Sequence, residues 1–149
     1  MNEEEKFFKE GIMAFNEKRF YDAHEHWEEI WVNYKLKDAK FIQGLIQVSV
    51  SYFHLFNGNL KGARSMIRKS IGKFESFEIV RGIDVLDLVG KIEEVKKHLE
   101  SIDESFTFEP NTLDVITLWD LIEHLRNPLE SLKKIYQIMI LSTAIKNLL

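Results

Sequence analysis

The stretch KFIQGLIQVSVSYFHLFNGN, from Lys40 to Asn59, constrains the fold most, because its apolar residues recur nearly all round a helical turn. A surface helix carries only one apolar stripe, so this pattern is typical of a helix surrounded by other helices. We therefore predict a central helix here. Its polar residues fall on one narrow stripe, at steps of four, four and three: Gln43, Gln47, Ser51 and His54.

The preceding sequence predicts two helices that could cover the central one. Residues 3–16 place apolar side chains on one face, and the polar segment NEKR then interrupts the pattern. A second helix begins near Phe20, and the short connection predicts that the two helices are antiparallel neighbours. The stripe expected to face the core of this second helix is Phe20, His24, Trp27, Trp31 and Tyr34.

The following sequence predicts two more helices and a linker. The segment NGN at Asn57 closes the central helix and caps a fourth helix over about 60–74, and Asp84 caps a fifth helix. The expected inward residues of the fifth helix are Val85, Leu88, Ile92, Val95 and Leu99. The predicted fold is all-α: a single bundle of about five helices in residues 1–104, and a C-terminal extension, 105–149, with one or two more helices. An extended segment over 113–119 is the alternative there.

Composition argues against several classes of protein. The net charge of -4 and pI of about 5.8 give no basic footprint for a polyanion, so we expect no nucleic-acid partner. The chain has no cysteine, which excludes disulfides and thiolate zinc sites. The acidic start MNEEEKFFKEG lacks the features of a secretory signal, which favours a cytoplasmic location. No apolar run approaches the ~20 residues of a membrane-spanning helix, so no membrane partner is expected.

One short segment, YDAHEHWEEIW, concentrates the residues suited to chemistry. His24 and Glu28 are one helical turn apart and can point the same way. Paired helices that project His and carboxylate groups inward form metal sites in helical bundles. If the polar stripe of the central helix faces this segment, His54 is a third ligand, and His24, Glu28 and His54 could hold a divalent metal. The full predicted polar centre is His24, Glu25, Glu28, Trp31, Gln43, Gln47 and His54.

Three interpretations of this polar centre remain open. The first is a non-enzymatic module, in which the polar groups hydrogen-bond one another or bind a small-molecule ligand. The second is a metal-dependent enzyme that uses His24, Glu28 and His54, although the zincin motif HExxH is absent. The third is catalysis without a metal. His26 and Glu29 are expected on the solvent side. The aromatic residues Trp27, Trp31, Tyr34, Phe41, Tyr52, Phe53 and Phe56 are expected in the core.

Two segments, NEKRFYDAHEHWEEIW and FIQGLIQVSVSYFHLFNGNLKGARSMI, resemble the small proteins grouped as domain of unknown function 309. The resemblance covers residues from about 7 to 99. It implies an all-helical bundle with a shared polar centre, and it implies no activity. The residues that carry it are Phe20, Ala23, His24, Glu25, Glu28, Trp31, Gln43, Gly44, Leu45, Ile46, Gln47, His54, Gly58, Asn59 and Ala63.

The C-terminal extension has a separate resemblance. The segment LDVITLWDLIEHLRNPLESLKKIY, residues 113–136, resembles the fourth strand and following loop of class I S-adenosylmethionine-dependent methyltransferases. The glycine-rich turn that holds the cofactor in that fold does not precede it, so we expect no S-adenosylmethionine binding, and a methyltransferase relic is the last alternative. Residues from about 135 onward are strongly apolar. They are expected to pack on the bundle or on a second copy, which would make the chain a homo-oligomer.

Overall fold

The computed structural model describes residues 1–102, which form five helices and one short hairpin and confirm the predicted all-α fold. The predicted extension 105–149, with its segments 113–119 and 113–136, lies outside the described residues. The elements are α1 (Glu3–Asn16), α2 (Phe20–Asn33), α3 (Ala39–Phe56), α4 (Leu60–Ile71), β1 (Ile79–Val80), β2 (Ile83–Asp84) and α5 (Val85–Ser101).

Helices α1 and α2 pack as antiparallel neighbours, as predicted. The Trp27 side chain of α2 lies against Gly11 of α1, where any Cβ would overlap the indole. The Trp27 Nε1 donates a hydrogen bond to the Phe8 carbonyl, at 3.2 Å. At the other end of the pair, the rings of Phe15 and Phe20 meet edge to face, with centroids 5.1 Å apart. The absence of a side chain at Gly11 thus sets how closely the two helices approach.

The buried stripe of α2 differs from the predicted one. Phe20 and Trp27 are buried as expected, but Ala23 and Ile30 complete the stripe, at steps of three, four and three. His24 is only partly buried, and Trp31 keeps 39% of its surface exposed. The prediction was wrong because the two candidate stripes lie side by side on the helix, and the larger aromatic residues of one masked the small Ala23 of the other.

Helix α3 is central, as predicted. On one side, the Tyr52 ring lies 5.1 Å from the Phe20 ring of α2 and 5.4 Å from the Phe15 ring of α1. On another side, Gly44 leaves room for Phe74, since a Cβ there would come within 2.5 Å of the Phe74 Cζ. Helix α3 therefore contacts α1, α2 and the segment after α4.

The turn between α3 and α4 follows its sequence signals. Gly58 has a φ of +76°, a left-handed conformation that glycine adopts without strain. The Asn59 side chain accepts a hydrogen bond from the Gly62 amide at 2.8 Å, so Asn59 caps α4 as predicted. Helix α4 ends at Ile71, before the predicted boundary at Phe74, and Phe74 still packs inward.

A two-stranded hairpin precedes α5 and was not predicted. Its turn is Arg81-Gly82, both with positive φ, and Val80 pairs with Ile83. Asp84 then caps α5 by accepting from the Asp87 amide at 3.1 Å, as expected. The inward residues predicted for α5 are all buried: Val85, Leu88, Ile92, Val95 and Leu99. None of the helices within residues 1–102 is long and apolar enough to cross a membrane.

Candidate functional site

His24 and Glu28 of α2 form a close pair, as the sequence predicted. The His24 Nε2 lies 3.2 Å from a Glu28 carboxylate oxygen, one helical turn away. The other ring nitrogen, Nδ1, is buried and has no hydrogen-bond partner in the described part of the chain. One nitrogen of His24 therefore faces a carboxylate and the other faces the protein, so the ring presents neither of them freely to a substrate.

His54 contacts residues at the start of α4. Its Nδ1 is 3.2 Å from the Asn59 side-chain nitrogen, in the turn that leads to α4. A Cβ at Gly62 would lie 2.9 Å from the His54 Cγ, so the imidazole also sits against the first turn of α4. Ser51, one turn earlier, donates a hydrogen bond to the Ala63 carbonyl of α4, at 2.7 Å. Ser51 therefore faces α4, and His54 lies at the edge of the stripe next to the start of α4.

The three predicted metal ligands do not form one cluster in the described part of the chain. Within residues 1–102, no three His, Asp or Glu side chains are grouped so that they could hold a metal ion. His24 and Glu28 meet, but His54 contacts the other neighbour of α3. Helical periodicity shows which residues share a face of α3 and does not show which neighbouring helix that face meets.

The rest of the polar stripe lies on a surface of α3 that α1, α2 and α4 leave incompletely covered. Gln43 and Gln47 are half-buried there, and so are Ile46 and Val50. At 100° per residue, this row covers roughly one third of the helix circumference. We call it the open face of α3, and it comprises Gln43, Ile46, Gln47, Val50, Phe53 and His54.

The open face combines apolar contact area with uncharged polar groups. Ile46, Val50 and Phe53 recur at steps of four and three, the spacing by which one helix packs against another. Phe53 is 36% exposed, so its predicted core position is wrong. The Gln47 side-chain oxygen is buried and has no hydrogen-bond partner among residues 1–102. A buried acceptor of this kind favours a donor from a further element on this face.

An aromatic side chain of α2 forms the rim of the open face. Tyr21 is 50% exposed, and its ring lies 5.5 Å from the Phe53 ring and 5.6 Å from the His24 ring. The His24–Glu28 pair is therefore next to the open face, at its α2 side. Tyr21 was not predicted as a site residue, because a single exposed tyrosine at a helix start gives no distinctive signal.

The remaining charged residues of the predicted segment lie at the surface. Glu25 and Glu29 are exposed, and Glu29 accepts a hydrogen bond from the Asn33 side chain at 2.8 Å. His26 is half-buried on the α1 side of α2, 3.6 Å from a Glu10 oxygen. The predicted polar centre is thus divided. His24 and Glu28 pair along α2, and Glu25 is exposed. Gln43, Gln47 and His54 lie on the open face of α3.

Ile46, Val50 and Phe53 are site residues that sequence reasoning missed. The signal was present, since these residues accompany Gln43, Gln47 and His54 at the same helical phase. Polar residues on an otherwise apolar helix mark the side that no neighbour covers completely. The same polar residues also fit an internal hydrogen-bond network, and periodicity alone does not separate the two arrangements.

Comparison with other proteins gives one relative of similar sequence and a family match. A protein of Aquifex aeolicus (strain VF5), described as an uncharacterized protein, is 27% identical over 97 residues. That alignment covers 64% of this chain and 29% of the relative, so this chain spans less than a third of the relative's length. No solved structure matches the chain.

The family match covers most of α1, all of α2 and α3, and the first half of α4, including the His24–Glu28 pair and the whole open face. It does not reach residues 113–136, and these comparisons do not support the resemblance of that segment to methyltransferases. Residues 8–66 of this chain match the family Domain of unknown function (DUF309), in agreement with the resemblance seen in the sequence.

Proposed function

We propose that this chain is a non-enzymatic binding module whose binding surface is the open face of α3. The single observation that carries the proposal is the spacing of Ile46, Val50 and Phe53 on a side of a central helix that residues 1–102 leave incompletely covered. A surface with apolar anchors at steps of three and four fits the apolar side of another helix. The bound element is therefore a helical, largely apolar segment.

The lack of charged residues on α3 supports the same kind of ligand. The α3 sequence from Phe41 to Phe56 contains no Asp, Glu, Lys or Arg. Within α3 a charged ligand would find no opposite charge to offset its lost hydration, whereas an apolar helix would lose little. Gln43 and Gln47 can form hydrogen bonds that fix the register of the bound helix.

The relative from Aquifex aeolicus supports a modular role. The similar residues form 29% of that protein, so in the relative they are joined to a longer chain. A bundle that binds a helix could connect to such additional segments or to a second protein. A divalent metal is not part of this proposal, because no three His, Asp or Glu side chains within residues 1–102 are grouped to hold one.

Thiol accessibility tests whether the open face is occupied. The chain has no cysteine, so Val50→Cys introduces a single thiol on the open face. Val89→Cys is the matched control, since Val89 is also a half-buried valine on a long helix, α5. In intact cells, N-ethylmaleimide should modify the Val50→Cys variant at least about tenfold more slowly than the Val89→Cys variant.

The two variants should react at equal rates after denaturation, which controls for intrinsic reactivity. Equal rates in the folded protein would contradict the proposal, because an unoccupied surface gives no protection beyond that of a half-buried valine.

A further inference from the structure

The C-terminal residues of this chain have the chemistry that the open face requires. Residues 135–149, IYQIMILSTAIKNLL, contain one charged residue, Lys146. Their apolar side chains would form a large exposed patch unless another surface covers them. The segment Ile135 to Ile145 is uncharged, as is the open face, and the two are of similar length.

The described chain ends near one end of the open face. Arg64, in the first turns of α4, donates hydrogen bonds to the carbonyls of Leu99 and Ile102, at 2.9 and 2.6 Å. The end of α5 therefore lies beside the start of α4. Asn59, which caps α4, contacts His54 at 3.2 Å, so the chain leaves residue 102 near the end of the open face.

The distance to be covered is short for the available chain. Helix α3 has 18 residues and is about 27 Å long. Residues 103–134 precede the apolar segment, and ten residues alone can span about 33 Å when extended. The connection therefore permits the segment to lie along the whole open face of the same molecule.

We propose that residues 135–149 dock on the open face of α3 within the same chain. This inference rests on the proposed function and names the segment that the module binds. Ile46, Val50 and Phe53 receive the apolar side chains of the segment. The polar residues of the segment provide donors for the buried oxygen of Gln47, which has no partner in the described residues: Gln137, Ser142 and Thr143. The segment thereby covers its own apolar surface and completes the bundle.

Disulfide trapping in the full chain tests this docking. Val50→Cys is combined in turn with Ile135→Cys, Ile138→Cys, Met139→Cys and Ile145→Cys, so that different sides and turns of the segment are sampled. A disulfide forms only where two Cα atoms come within about 7 Å. Val89→Cys with the same four partners is the control. We expect at least one Val50→Cys pair to oxidise rapidly to a disulfide within one chain, and none of the Val89→Cys pairs to do so.

The products distinguish failure of this inference from failure of the proposed function. Disulfide-linked dimers in place of monomers would show that a second copy occupies the face, which overturns docking within one chain and leaves the binding module intact. Trapping with Val89→Cys only, or no trapping with Val50→Cys, would overturn the inference. If the thiol of the Val50→Cys variant is still protected from N-ethylmaleimide in that case, another protein occupies the face. If it is not protected, the proposed function fails too.

Discussion

Tyr52 shows how an aromatic residue can stabilise the bundle through its ring and not through its hydroxyl. The side chain is almost fully buried between Phe15 and Phe20. Its hydroxyl has no hydrogen-bond partner among residues 1–102. Because burial disfavours the phenolate, the pKa of Tyr52 is raised well above the usual value of about 10.

Removal of this hydroxyl should cost little stability at neutral pH. The variant Tyr52→Phe keeps the ring contacts and removes a buried group without a partner, so its free energy of unfolding at pH 7 should lie within about 1 kcal/mol of the parent or exceed it. Urea denaturation measures this difference. A loss of more than about 2 kcal/mol would show that the hydroxyl has a partner that stabilises the fold.

The same variant should change the response to alkaline pH. The folded protein holds Tyr52 protonated, while the unfolded chain releases the proton above about pH 10. The contribution of Tyr52 protonation to the free energy of unfolding is therefore complete below about pH 10. It declines above that pH, by up to about 1.4 kcal/mol per pH unit. Between about pH 10 and 11, Tyr52→Phe should lose less stability than the parent.

At the level of secondary-structure elements, Arg81 joins the hairpin to the segments on either side of α2. Its guanidinium contacts both oxygens of Asp38, at 2.6 and 3.2 Å, and also a carboxylate oxygen of Glu4. It also lies 4.8 Å from the centre of the Phe8 ring. The Arg81 and Asp38 side chains are only 19% and 17% exposed, so solvent screens this cluster less than a surface ion pair.

Replacement of Arg81 should therefore destabilise the protein more than replacement of an exposed arginine. In Arg81→Met, two partly buried carboxylates lose their partner, and the free energy of unfolding should fall by about 1–3 kcal/mol. The matched control is Arg68→Met, because Arg68 pairs with Glu100 at a more exposed site. Arg68→Met should lower the free energy of unfolding by less than about 1 kcal/mol. Equal losses in urea denaturation would contradict a stabilising role for the Arg81 cluster.

The sequence predicted elements well where local signals determined them. Asp84 and the spacing from Val85 to Leu99 gave the start and the inward side of α5, and Gly58 with Asn59 gave the turn before α4. The hairpin was missed because arginine is unusual at the positive-φ position of its turn. Local periodicity also could not show that His54 lies next to Asn59 and Gly62 at the start of α4, since that depends on contacts between different helices.

At the level of the whole molecule, the neighbours of α3 within residues 1–102 cover the open face less completely than the other sides of this helix. This arrangement explains why the sequence predicted the polar residues of the open face and not its apolar residues. Gln43, Gln47 and His54 were correctly placed on one side of α3, whereas their apolar neighbours Ile46 and Val50 were not recognised. The sequence showed an unusual side of a central helix, and the packing of the other helices was needed to show that this side remains open.

Photo-crosslinking tests whether residues 135–149 occupy the open face of α3. A benzoylphenylalanine at position 50 of the full chain, irradiated in intact cells, should crosslink efficiently, and mass spectrometry should locate the crosslink within residues 135–149. The same photoreactive residue at position 89 should crosslink far less. If position 50 gives no more crosslinked product than position 89, the open face binds nothing, which contradicts its proposed role as a binding surface.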